Sequence, residues 1–147
     1  MDEDNNNNQI LRIREMKEKQ LITISNTVKL RSCDIHRIVE NTSTSIFDPD
    51  NCSIWNNYNS YITNKKKGIY INFYFKGKKK IALHRLIYAN YKEELTNNEY
   101  IRYSCENKGI CCNVNHMFKC EYITETEQQI EKKIDEPPEN IFKVIIN

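Results

Sequence analysis

Apolar positions along this chain change period several times, and each change marks a predicted element. From Gln9 to Gln20, Ile10, Ile13 and Met16 or Lys17 recur at helical spacing among strong helix formers, which predicts a first helix. Leu21–Ser25 alternates with β-branched residues and predicts a short strand. Ser32 suits the N-cap of a second helix through Ile35, Ile38 and Val39, with His36 on its surface. Tyr58–Thr63 and Gly68–Phe75 then carry the strand period of two. Ile69, Ile71, Phe73 and Phe75 face one way, and Tyr70, Asn72, Tyr74 and Lys76 the other. Lys-rich turns at Lys65–Lys67 and Lys76–Lys78, with a return over Lys79–Leu83, complete an antiparallel meander. His84–Leu95 predicts a third helix ended by Asn97-Asn98. Lys119–Ile123 predicts a strand, and Thr124 with Glu127 forms a capping box before a helix through Ile130 and Ile134. That helix must stop before Pro137-Pro138.

The pattern implies an α+β chain: a disordered leader at 1–8, an N-terminal helical segment at 9–48, a main domain at 49–136 and a tail at 137–147. The tail carries Ile141, Phe142, Val144, Ile145 and Ile146, apolar enough for an edge strand or a homodimer contact. At 147 residues and 39% hydrophobic, the chain can bury one core, and no apolar run approaches the ~18 residues of a membrane span. The acidic, polar start MDEDNNNN is unlike a secretory signal. An intracellular location follows as the expectation, with the six cysteines reduced rather than bridged.

Charge changes the picture of the meander. Tyr61 to Lys92 holds nine basic residues, Lys65, Lys66, Lys67, Lys76, Lys78, Lys79, Lys80, Arg85 and Lys92, and no acid, within a chain of net charge only +2. Lysines in turns can simply guard edge strands, but a patch unbroken by acids points to phosphate and so to duplex DNA. A β-ribbon of this size fits the major groove. Lysines would contact phosphates there, Tyr70, Asn72 and Tyr74 would face bases, and the planar fork of Arg85 would suit a phosphate.

The densest chemistry lies at Cys105-x5-Cys111-x4-His116, with Cys112 inside the run and Cys120 four residues on. The spacing is too irregular for one helix face. Thiolates plus imidazole suit a tetrahedral Zn²⁺, whose fourth ligand would be Cys120 or the distant Cys52. Reduced core cysteines or a disulfide are the plain alternatives.

Cys52-Ser-Ile-Trp55, Leu83-His84-Arg85-Leu86 and Cys105…Cys111-Cys112-Asn113-Val114-Asn115-His116-Met117, in this order, resemble the zinc-bearing His-Me finger (HNH-like) endonucleases, above all the His-Cys box homing endonucleases. The resemblance covers about residues 50–130. It implies a ββα-metal finger, a zinc held by Cys52, Cys105, Cys111 and His116, and an antiparallel sheet on DNA in a nucleus or another DNA-containing compartment. Two positions depart from the family. Its catalytic His is replaced by Tyr103, and its metal-binding Asn falls on Glu125. A tyrosine hydroxyl is a poor general base at neutral pH. The expectation is therefore a zinc-stabilised DNA-binding protein without cleavage. The rivals are an active endonuclease in which Glu125 holds Mg²⁺ and His84 or Tyr103 takes an altered role, and an assembly protein that uses the zinc fold for packing.

Overall fold

The structure is a computed structural model that describes residues 2–65, 68–75 and 79–122. Its order is α1 (Asp2–Lys19), α2 (Ser32–Glu40), a 3-10 turn at Tyr58–Ser60, β1 (Tyr61–Asn64), β2 (Gly68–Phe75), β3 (Lys79–Ala82), α3 (Leu83–Tyr91), β4 (Glu99–Tyr103), a second 3-10 turn at Val114–His116 and β5 (Met117–Glu121). Strands β1, β2 and β3 form an antiparallel meander, and β4 with β5 an antiparallel hairpin. Mixed α+β architecture is thus as expected. The helix expected after β5, with the tail, lies outside the described residues. No helix among the described residues is long and apolar enough to cross a membrane.

Residues 2–8, expected as a disordered leader, lie in α1. The basic Lys17 and Lys19 sit in its last turn, where their sign favours the helix dipole. Met16 is buried and Ile13 half-buried, but Ile10 turns to solvent. Leu21–Ser25 is not a strand: Leu21 N donates to Asn90 O at 2.9 Å and Ile22 is 97% exposed, so the alternation meets no sheet.

Helix α2 begins at Ser32, yet Ser32 is not its cap. The Asp34 carboxylate reaches back to Arg31 N (2.9 Å) and is gripped by the Arg31 and Arg37 guanidiniums. Burial pushes the fully enclosed Asp34 carboxyl up, but these hydrogen bonds outweigh it and hold the group below the usual range. A depressed native pKa stabilises the fold fully above the unfolded value of about 3.9, and that contribution is lost as pH falls through the native value. Asp34→Asn should cost about 1–3 kcal/mol at pH 7. In denaturant melts the gap to wild type should close below about pH 4.

The core sits where α3 meets both sheets. Ile71, Phe73 and Phe75 of β2, Leu83, Leu86 and Ile87 of α3, Ile35 and Ile38 of α2, and Ile101 of β4 are all buried in it. Alternation along β2 holds from residue 71 onward, but Ile69 at the strand's start is exposed. Asn90 lies at the centre, fully buried. Its Oδ1 accepts from Gln20 Nε2 and Leu30 N, and its Nδ2 donates to Val28 and Leu86 carbonyls, so all of its polar capacity is used. Helix α3 stops at Tyr91 rather than Leu95, although Leu95 still packs against the core.

Candidate metal centre

Three short extended segments bring the ligand residues together. Thr42 pairs with Trp55, and Ile54 with Cys111, so residues 53–55 lie between residues 42–44 and 110–112. Ser43 N donates to Ile54 O, Trp55 N to Ile110 O (3.0 Å) and Cys112 N to Ser53 O (2.7 Å). Helix α1 holds the outer segment: Arg12 donates to the Thr42 hydroxyl and the Thr44 carbonyl, and Glu15 accepts from Ser45 Oγ. Trp55 anchors the middle one, buried edge-on against Phe73 with ring centroids 6.1 Å apart.

The result is a cluster of Cys52, Cys105, Cys111 and His116 whose ligand atoms all lie within 4.8 Å of one another. His116 Nδ1 stands 3.5 Å from both Cys52 Sγ and Cys111 Sγ. Tetrahedral bonds of about 2.3 Å to sulfur and 2.0–2.1 Å to nitrogen imply an S···N edge of about 3.6 Å, so the spacing fits such an ion. Cys120 is not a member; it lies on β5 opposite Tyr100. The alternative of a disulfide finds no support, since every cysteine is a free thiol.

Burial sets a cost that a metal ion at this site has to offset. Burial pushes the Cys111 thiol up to about 12 and raises Cys105 as well, so without a compensating positive charge the thiols keep their protons. A divalent ion supplies that charge and displaces the protons. Asn107 Nδ2 donates to Cys52 Sγ at 3.2 Å and Asn113 N to Cys111 Sγ at 3.4 Å, orienting both sulfurs.

Two residues outside the expected ligand set build the loop. Asn113 is fully buried; its Nδ2 donates to the Asp48 and Asn51 carbonyls and its Oδ1 accepts from Asn115 N. Asp48 in turn accepts from the Asp50 and Asn51 amides, which fixes the turn before Cys52. Gly109 adopts φ +85, and a Cβ there would collide with the Ile69 carbonyl of β2. The loop between Cys105 and Cys111 is therefore pressed onto the backbone of the meander. Asn113 stood out in the sequence only as half of an Asn-Val pair, and Gly109 carried no signal beyond being one of three glycines.

His84 and Tyr103 stand side by side, ring centroids 6.0 Å apart. Tyr103 OH and His84 Nδ1 are buried without hydrogen-bond partners. Burial, then the nearby thiols, raises the Tyr103 hydroxyl far above its usual range. Burial, aided by Arg85, pulls His84 down to about 4. Glu125 lies outside the described residues.

Of the expected DNA-facing residues, Lys65 and Lys80 are exposed, Tyr74 is 46% exposed, and Tyr70 and Asn72 are half-buried. Lys79 lies in β3, whereas Lys66, Lys67, Lys76 and Lys78 fall outside the described residues. Arg85, expected at a phosphate, instead donates to the Glu99 carbonyl (2.8 Å) and the Thr96 carbonyl (3.2 Å), binding α3 to the turn before β4.

Over 117 residues, the chain is 48% identical to an uncharacterized protein of Acanthamoeba polyphaga mimivirus. The match takes in 80% of this chain and 33% of that protein, so the chain spans about a third of its relative's length. No family model matches the chain, and no solved structure matches it.

Proposed function

We propose that this chain is a zinc-stabilised DNA-binding module on a His-Me finger-like scaffold, without cleavage chemistry of its own. The observation that carries the reading is the Cys52–Cys105–Cys111–His116 cluster, whose loop abuts a meander lined by Lys65 and Lys80. Zn²⁺ is the ion that three thiolates and one imidazole at tetrahedral spacing suit best. It closes the loop; the loop supports the basic ribbon; the ribbon meets phosphates.

Absence of cleavage rests on the neighbouring pair. A hydroxyl raised above its usual range and buried without a partner cannot take a proton from water at neutral pH. An imidazole pulled down to about 4 is a weak base, and its Nδ1 is enclosed.

Reversing Lys65, Lys66 and Lys67 to Glu should weaken duplex binding on every sequence and flatten its salt dependence by about one unit of log–log slope per lost phosphate contact. Fluorescence anisotropy at several salt concentrations measures both. The wild-type protein with Mg²⁺ should leave a supercoiled plasmid intact. Unchanged affinity and slope in the reversed variant would reduce those lysines to solvated turn residues.

A further inference from the structure

The hairpin of β4 and β5 has one face on the core and one open to solvent. Glu99, Ile101 and Met117 turn inward and are buried. By strand alternation Tyr100, Arg102, Phe118 and Cys120 turn outward, and Tyr122 extends the row, its amide donating to Asn98 O at 2.8 Å. Phe118 is 44% and Tyr122 48% exposed. Tyr100 and Tyr122 are stacked, ring centroids 4.6 Å apart and planes 29° from parallel. Arg102, also exposed, pairs directly across from Phe118.

We propose that this outward face is a stacking platform for unpaired nucleobases, a second nucleic-acid surface separate from the basic meander. Three aromatic rings, one guanidinium and the Cys120 thiol occupy it, with no carboxylate and no aliphatic side chain on that face of the strands. Tyr, Phe and Arg are also residues that protein interfaces favour, so a second copy of the chain is the competing occupant that the test below separates. A single-stranded nucleic acid needs flat π surfaces for its bases and a cation for its backbone, and the face supplies both. The Tyr100–Tyr122 stack is already ordered, so a base that continues it loses little side-chain freedom. Arg102 beside Phe118 can meet the phosphate of the same nucleotide or stack on its base.

The inference extends the nucleic-acid reading but does not need the meander to bind a duplex, and the test separates them. A labelled oligothymidylate and a labelled duplex are titrated by anisotropy against the full chain and against Phe118→Ala, Tyr122→Ala and Phe118→Trp. Circular dichroism confirms that each variant is folded. The platform predicts that each alanine lowers oligothymidylate affinity about tenfold, that Phe118→Trp retains it, and that duplex affinity stays at the wild-type value. Oligothymidylate binding that depends on these rings, with no duplex binding by wild type, upholds the platform and removes the duplex reading. Oligothymidylate affinity unchanged by both alanines overturns the proposal. So does wild-type protein that light scattering shows to be a dimer, with the alanine variants monomeric, because the face then belongs to a second copy of the chain.

Discussion

Stripping the metal with a strong chelator should abolish the cooperative unfolding transition of this protein. A four-ligand zinc site contributes an apparent ~10–16 kcal/mol to folding near neutral pH, comparable with the ~5–15 kcal/mol that holds a whole domain together. Here the ligands come from chain positions far apart, Cys52 on one side and Cys105, Cys111 and His116 on the other. Without the ion, the ladder between residues 53–55 and 110–112 keeps only a few hydrogen bonds and the packing of Trp55. Cys111→Ser should reproduce the chelator's effect, because it removes a buried ligand. Cys120→Ser should shift stability by less than about 0.5 kcal/mol, as a substitution away from the site. Thermal melts of Cys52→Ser and Cys120→Ser decide between the two as the fourth ligand: a loss confined to Cys120→Ser would place Cys120 in the site.

Gly109→Ala should be among the most damaging small changes in the chain. The position sits at φ +85, which costs an L-residue about 1–2 kcal/mol. Its new Cβ would also land on the Ile69 carbonyl, so either the metal loop or β2 must move. Together these should cost about 3–5 kcal/mol, within the range reserved for strain and overpacking. Gly68→Ala supplies the control. Gly68 has a similar φ of +79, but nothing lies within 4 Å of the position its added methyl would take, so only the conformational cost of about 1–2 kcal/mol applies. Denaturant melts measure both. Equal losses at the two glycines would show that the loop does not bear on the ribbon.

Much of this architecture was legible because its signals are local. The period-two run of β2 and the apolar face of α3 each announce an element within about ten residues. Ligand-type residues at irregular short spacing announced the metal loop, and resemblance selected Cys52, which the structure joins to the other three. What stayed hidden depends on distant partners. Leu21–Ser25 alternates like a strand, but the Leu21 amide is claimed by Asn90, far along the chain. Arg85 looks free for phosphate until the turn at residues 96–99 folds its carbonyls onto it. Ser32 looks like a cap, yet Asp34 does that work because two arginines hold its carboxylate in place. The Asn run at 5–8 has weak helix propensity, so its continuation of α1 could not be read from composition. Asn113 needs the Asp48–Asn51 turn beside it before its burial makes sense.

X-ray absorption at the zinc edge, on protein purified without chelator and with metal content measured in parallel, tests the central claim most directly. The account predicts one zinc per chain with three sulfurs at about 2.3 Å and one nitrogen at about 2.0–2.1 Å. It also predicts that Cys52→Ala loses one sulfur from that shell while Cys120→Ala leaves it unchanged. Protein that carries no zinc, or a shell that loses its sulfur with Cys120 instead, would contradict it.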